Sequence, residues 1–285
     1  MISQYIQPKK LNEALEQIAT FKERAKIFAG GTDLIIQMRK GLINPEVVID
    51  ISSLKELRGI NTSQGVISIG ALTTYYEIIN DPTLIERASV LVQAARAVGS
   101  AQIRSRGTLG GNLGNGSPAG DSIPSLFVLN ADVHLLNIEG DRWVPILEFF
   151  KGPGKTVRQT DEIISEIRFD IPTVNSKGYF HKIGQRKGMF IAKASVAMQL
   201  SLMGGIVQDC AIALGAVAPT VIRVAATEQF LIHKKLNGET ILQASQMTAE
   251  GCHPITDIRS TDTYRRKIIG VMVKRGLEEL ALRNN

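Results

Sequence analysis

The chain has 285 residues, 44% hydrophobic and 21% charged, with a net charge of +6. That is length for about two domains and the composition of an ordinary globular protein with a sizeable core. Its two cysteines, Cys210 and Cys252, are too few for a disulfide-stapled secreted scaffold or for a thiolate-held metal or iron–sulfur site. Met1–Lys10 lacks the apolar core of a signal peptide, so a cytoplasmic protein is expected. The basic residues are scattered and not interleaved with aromatics, which argues against nucleic acid as a partner. Glycine is the departure, at 26 residues against a usual share of about 7%.

Leu11, Ala14, Leu15, Ile18 and Ala19 recur at helical spacing and predict an amphipathic helix over residues 10–21. Ala25–Ala29 is a short apolar run of strand length. Gly30–Gly31 follows it, then Thr32 and Asp33 as N-cap or first-turn residues, then Leu34, Ile35 and Met38 as a helical stripe closed by Lys40 and Gly41. Val47–Ile51 and Val66–Ile69 read as strands, and Leu84–Val98 as one helix. From Gly99 to Asp121 the pattern predicts a long glycine-rich loop, and ordered loops of that length are usually functional. Ala131–Leu136 and Glu162–Phe169 read as later strands, and Ile171–Gly178 as the domain boundary. Ala194–Ile222 carries one charge, but Gly204–Gly205 divides it. It predicts two strands joined by a turn rather than a membrane span, with at least two helices beyond it.

Two segments stand out, Phe28–Leu34 and Thr108–Gly114, each containing a glycine pair. A strand that enters a helix through glycines lets backbone N–H groups converge with no Cβ in the way, which suits a phosphate or pyrophosphate. Two such segments suggest a dinucleotide-sized ligand. No G-x-G-x-x-G follows a strand, so a Rossmann-type site has no fingerprint here. Gly152-Pro153-Gly154-Lys155-Thr156 imitates the tail of a P-loop, but Phe149 stands where the motif needs glycine. A proline-glycine turn is expected instead. His134, His181, His233 and His253 are dispersed without metal-ligand spacing, and no serine sits in a nucleophile elbow. No catalytic side chain and no metal site are therefore assigned, and any reactive atoms belong to a cofactor. Lys182 and Arg186 form a basic cluster that is either solvated surface or aimed at an anionic cofactor.

At these residues the chain resembles the FAD-binding medium subunit of the molybdenum hydroxylases, the group that contains xanthine dehydrogenase, aerobic carbon monoxide dehydrogenase and nicotinate dehydrogenase. Ala29-Gly30-Gly31-Thr32-Asp33-Leu34, Gln102-Ile103-Arg104, Thr108-Leu109-Gly110-Gly111-Asn112 and Ser117-Pro118-Ala119-Gly120-Asp121 carry the resemblance. Gly152–Thr156, Asp161–Ile164 and Pro219–Arg223 extend it along nearly the whole chain. It implies an α+β protein with a vanillyl-alcohol-oxidase-type FAD-binding fold over residues 1–173, built from two α/β subdomains at about 1–58 and 59–173. A C-terminal domain over 178–285 would pair an antiparallel sheet with a helical bundle. The resemblance places FAD against Lys26, Ile27, Phe28, Ala29, Gly30, Gly31, Thr32, Asp33 and Leu34. It adds Gly107, Thr108, Leu109, Gly110, Gly111 and Asn112, with Asn115 beside them. These two segments would wrap the pyrophosphate and neighbouring groups with main-chain donors. Asp121 would accept from the adenosine ribose, Ile164 would pack on the cofactor, and Lys182 would lie near the flavin ring.

The implied function is electron transfer. A large subunit would hold the molybdenum cofactor and a small subunit two two-iron two-sulfur clusters, in a dimer of heterotrimers. Electrons would reach FAD here and pass to NAD, dioxygen or another acceptor, with xanthine-like chemistry slightly preferred. Met189-Phe190-Ile191 replaces the Met-Asp-Ile-type run of many relatives, and leaves the acceptor open. A self-contained flavin oxidase and a scaffold that has lost FAD are the competing readings.

Overall fold

The computed structural model describes residues 3–186 and 190–283. The first turns of chain form a small parallel sheet: β1 (Gln4–Ile6), α1 (Leu11–Phe21), β2 (Ala25–Phe28), α2 (Leu34–Arg39) and β3 (Val47–Asp50), with β3 between its neighbours. The helical spacing of Ala14, Leu15 and Ile18 lays one face of α1 on Val47 and Ile49, and all five side chains are buried. At the C-terminal end of β3 the Asp50 carboxylate is buried and accepts from the Tyr5 hydroxyl, from Gln7 Nε2 at 3.2 Å and from the Ser52 N–H at 2.9 Å. Burial works against its ionisation, but the Ser52, Tyr5 and Gln7 hydrogen bonds outweigh that and hold it below the usual carboxylate range. A carboxyl held low stabilises the fold above its ordinary pKa and loses that contribution on acidification. Asp50→Ala should therefore lower stability at pH 7 by about 1–3 kcal/mol and less at pH 3, as read by denaturant unfolding at the two values.

The chain continues through β4 (Ile60–Ser63), β5 (Val66–Gly70), α3 (Tyr75–Asn80), α4 (Pro82–Arg87), α5 (Ser89–Ala97), α6 (Ala101–Arg106), α7 (Leu109–Asn115) and α8 (Ile123–Val128). The single helix expected over 84–98 is broken at Ala88, whose backbone leaves the helical region at φ −127°, ψ 47°. The glycine-rich stretch expected as a loop is largely helical. Thr108 caps α7 by accepting from the Gly111 N–H at 3.1 Å, and Gly116 closes it in the left-handed region. Next come β6 (Asp132–Leu136), β7 (Asp141–Pro145), α9 (Ile146–Phe149), β8 (Phe150–Gly152), β9 (Lys155–Thr156) and β10 (Ile163–Asp170). Strands β4, β5, β10, β6 and β7 make a five-stranded sheet in that order, and β8–β9 is a separate hairpin. The P-loop-like residues thus form a hairpin, as expected, and its tip rests on α7: the Gly154 N–H donates to the Gly116 carbonyl at 2.9 Å.

The remaining elements are β11 (Ser176–Ile183), β12 (Ala194–Met203), β13 (Ile206–Gly215), β14 (Ile222–Arg223), α10 (Ala225–Leu231), α11 (Gly238–Glu250) and α12 (Asp262–Leu282). The four strands form an antiparallel sheet in sequence order, with Gly204 and Gly205 both at positive φ in the β12–β13 turn. On one face Ala194, Val196, Met198 and Leu200 meet the three helices through Leu231, Ile241, Ile269 and Leu277. Gly276 lets α12 approach so closely that a Cβ there would stand 2.7 Å from the Tyr179 ring. The opposite face receives α5 and α8, with Gln93 bonded to the Gly178 carbonyl and the Phe180 N–H, both at 3.0 Å.

The protein divides into two compact units, neither continuous in sequence. The first holds residues 1–77, 101–116 and 131–169; the second holds 78–100, 117–130 and 170–285. Among the described residues no helix is long and apolar enough to cross a membrane.

Candidate cofactor site

In the first unit, β2 delivers Lys26, Ile27 and Phe28 to the turn at Ala29, Gly30 and Gly31, and α2 begins after Thr32 and Asp33. Gly31 adopts φ +71°, and a Cβ there would meet the Phe28 ring at 2.5 Å. The N–H groups of Gly30, Gly31, Thr32, Asp33 and Leu34 have no acceptor among the described residues. Asp33 occupies the N-cap position of α2, but its side chain makes no capping bond, and burial raises its carboxyl above the usual range. A run of unpaired donors around a left-handed residue is an anion nest. A small cavity of about 110 Å³ opens along β2, lined by Lys22, Lys26, Ile27 and Arg158 among others.

The second glycine segment lies against the first. A Cβ on Gly30 would stand 2.7 Å from the Arg106 carbonyl carbon and 3.2 Å from the Gly107 Cα. Gln37 of α2 donates to Asn115 Oδ1 at 3.2 Å, tying α2 to the end of α7. Here all but the Thr108 N–H of the donors from Gly107 to Asn112 are committed inside the fold. Gly107 donates to the Ile103 carbonyl, Leu109 to Thr73, Gly110 to Ala71, Gly111 to Thr108 Oγ1 and Asn112 to the Thr108 carbonyl. Gly110 is buried against Ala71, whose methyl would be 2.5 Å from an added Cβ, while Gly111 and Gly114 are exposed. Ile164 is buried in β10, its Cδ1 3.7 Å from the Cβ position of Gly114.

In the second unit, Asp121 and Lys182 form a buried ion pair, Nζ to Oδ2 at 2.5 Å, with side chains 11% and 5% exposed. Lys182 Nζ also donates to the Phe190 carbonyl at 3.2 Å and lies 4.8 Å from the Phe190 ring centroid. Asp121 Oδ1 is buried and has no hydrogen-bond partner. Burial pushes this carboxyl up to about 6, while Lys182 pulls in the opposite direction. Met189 of the sequence run Met189-Phe190-Ile191 lies outside the described residues. Among the described residues no group of three or more histidine, cysteine, aspartate or glutamate side chains could hold a metal ion. His134 is a satisfied strand residue, bonded to Asp141 at 2.8 Å and Ser165 at 2.7 Å and stacked on Trp143.

Residues 1–173 match the family described as the FAD binding domain in molybdopterin dehydrogenase, and residues 179–280 the CO dehydrogenase flavoprotein C-terminal domain. The chain belongs to the FAD-binding medium subunits of the molybdenum hydroxylases. This flavoprotein subunit is 32% identical to the glyceraldehyde dehydrogenase medium chain of Sulfolobus acidocaldarius, over 97% of this chain and 98% of that one. It is 31% identical to the nicotinate dehydrogenase FAD-subunit of Eubacterium barkeri, over 95% and 94% of the two chains. In structure it superposes on a chain of carbon monoxide dehydrogenase from Hydrogenophaga pseudoflava with a TM-score of 0.95 and 32% identity, covering 99% and 98%. Quinoline 2-oxidoreductase from Pseudomonas putida 86 gives 0.94 at 27% identity, covering 100% and 98%. The subunit is an oxidoreductase component and FAD is its cofactor. The first unit suits that group: the N–H groups from Gly30 to Leu34, which have no acceptor among the described residues, could meet its pyrophosphate. Sequence reasoning missed Gln37 as the tie between α2 and α7, and Gly116 as the seat of the β8–β9 hairpin. Neither partner is near its mate in sequence, so only the fold could reveal them.

Proposed function

We propose that this medium subunit carries electrons from the iron–sulfur clusters of a small partner subunit, by way of FAD, to NAD, dioxygen or another acceptor. FAD, when bound, supplies the two-electron chemistry; the chain supplies binding, orientation and shielding. The observation that carries the reading is the run of five unpaired N–H groups from Gly30 to Leu34 around left-handed Gly31. Lys26–Leu34 would hold the pyrophosphate by backbone donation. Gly107–Asn112 and Asn115 would pack beside it, and Ile164 would give it an apolar wall. Asp121 Oδ1 would take a ribose hydroxyl, and Lys182 would stand by the flavin ring. The two cysteines cannot ligate a cluster that needs four thiolates, which supports a separate cluster-bearing subunit beside a large molybdenum-cofactor subunit. The relatives' names as medium chains and FAD-subunits support the same division. A cytoplasmic dimer of heterotrimers with xanthine-like chemistry completes the proposal. The FAD-binding part would end near residue 173 and the C-terminal domain begin near 178. Phe190, in place of the aspartate that the resemblance implies, leaves NAD unassigned among the acceptors.

The test is purification of the chain with whatever accompanies it. A yellow protein with one FAD per chain, copurifying with iron, molybdenum and two further polypeptides, is the expected result. A colourless chain that takes up no added FAD would end the proposal. Flavin with no partner chains would favour a self-contained oxidase.

A further inference from the structure

In the second unit Arg265, in the first turn of α12, is 3% exposed. Its Nη1 donates to the Lys193 carbonyl at 3.0 Å and to the Ala216 carbonyl at 2.6 Å, and its Nη2 to Asp257 Oδ1 at 2.7 Å. Its Nε is buried and has no partner. Asp257 is its one carboxylate among the described residues, and is itself held by the Arg259 and Ser260 N–H groups at 2.8 and 3.1 Å. A guanidinium buried with one carboxylate and an orphaned nitrogen stabilises a fold less than an apolar side chain of its size would. What it adds is direction, because a planar fork bonds several acceptors along fixed lines.

The two carbonyls it holds belong to peptide groups that reach the cofactor residues. Lys193 immediately precedes β12 and Ala216 immediately follows β13, and the pairing of Ser195 with Gly215 puts both at one end of the sheet. Ala216 stands at φ +60°, a left-handed conformation that strains a residue with a Cβ and persists only where its surroundings impose it. Its N–H donates to the Pro118 carbonyl at 2.9 Å, in the loop that carries Asp121. The Lys193 N–H donates to the Ile183 carbonyl at 2.7 Å, beside Lys182. Phe190 stands three residues before Lys193. Its carbonyl accepts from Lys182 Nζ, and its ring packs on Gly184, where a Cβ would overlap it.

We propose that Arg265 is a positioning residue for the flavin: by bonding the Ala216 and Lys193 carbonyls together, it fixes the Asp121 loop and the Phe190 segment around Lys182. The proposal rests on the function proposed above, in which Asp121 and Lys182 meet the cofactor. Groups that meet a cofactor act through exact placement, and a shift of about 1 Å in them is enough to weaken their action.

The experiment uses the complete complex, carrying variants of this chain. Three quantities are read: the thermal midpoint, the Kd for FAD added back after flavin removal, and the visible circular dichroism of the bound flavin. Arg265→Met should weaken FAD binding about tenfold and alter the dichroism, and Asp257→Asn, which keeps the guanidinium and loosens Nη2 alone, about threefold. Because the guanidinium stays, Asp257→Asn serves even where Arg265→Met fails to fold. Leu277→Ala, which opens a cavity under the same helix, should lower the midpoint and leave Kd and dichroism at wild-type values. Arg265 and Asp257 variants with wild-type Kd and dichroism, however far their midpoints fall, would give Arg265 to the fold alone and overturn the proposal. A Leu277→Ala complex with equally altered flavin signals would overturn it as well, since any loss of stability would then suffice. Unchanged Kd and dichroism in Asp121→Asn/Lys182→Met would instead defeat the placement of the cofactor at that pair, a failure of the function proposed above.

Discussion

Replacing Gly30 with valine should strip the subunit of FAD and lower its stability by about 3 kcal/mol, the upper end of the usual cost of overpacking. The reason is where the new Cβ must go. It would lie 2.7 Å from the carbonyl carbon of Arg106, closer still to its oxygen, and 3.2 Å from the Gly107 Cα. All three are backbone atoms, so no side chain can rotate away. Gly107 is itself fixed, donating to the Ile103 carbonyl and accepting from the Tyr75 N–H. The turn and the end of α6 would have to part, and the five unpaired N–H groups from Gly30 to Leu34 would move with the turn. Gly140→Ala is the control, for a Cβ there meets nothing within 4 Å. Bound flavin measured by absorbance and a denaturant midpoint should separate the two variants. A Gly30→Val protein as yellow and as stable as the control would remove the turn from the cofactor site.

The same turn shows why part of this protein was legible in sequence. Ala25–Leu34 announces itself locally: an apolar strand, two glycines that free the backbone, and a helix stopped by Lys40 and Gly41. Each signal lies within a few residues of what it controls. The stretch from Gly99 to Asp121 misleads because glycine opposes helix formation, yet α6 and α7 form there. Tertiary packing overrides propensity: Gly110 must be glycine because α7 lies on Ala71, a residue 39 positions away in sequence. Thr108, three residues before Gly111, was the local sign of a helix start. The break at Ala88 carries no such sign. Asp121 and Ile164 could be nominated only through resemblance, because what marks them is three-dimensional. Asp121 has an orphaned buried oxygen, and Ile164 a place beside Gly114. In the second glycine segment Gly107, Leu109 and Gly110 donate to Ile103, Thr73 and Ala71, and Gly111 and Asn112 to Thr108, which leaves the Thr108 N–H without an acceptor among the described residues.

Lys182→Met should be the most damaging single change in the second unit, costing about 3–5 kcal/mol, because removing one member of a buried ion pair strands the other. Asp121 has nowhere to turn. Its Oδ2 is held by Lys182 at 2.5 Å, and its Oδ1 already lacks a partner. The double variant Asp121→Asn/Lys182→Met should recover much of the loss, since a neutral amide no longer needs the ammonium; urea unfolding of the two single variants and the double one measures this coupling. The pH dependence has a fixed sign. With its carboxyl pushed up to about 6 by burial, against an ordinary value of 3.8, folded Asp121 keeps a proton that the unfolded chain has released. Its contribution to stability is therefore present below pH 3.8 and lost as pH rises through 6, at most about 3 kcal/mol. Relative to Asp121→Asn, the FAD-free wild-type chain should lose stability between pH 4 and 7. If a ribose hydroxyl donates to Oδ1, FAD favours the ionised carboxylate, so binding should release a proton near pH 6 and tighten above it. Titration calorimetry in two buffers of different ionisation heat reads that proton directly. Equal proton release from wild type and Asp121→Asn would detach this carboxylate from the cofactor.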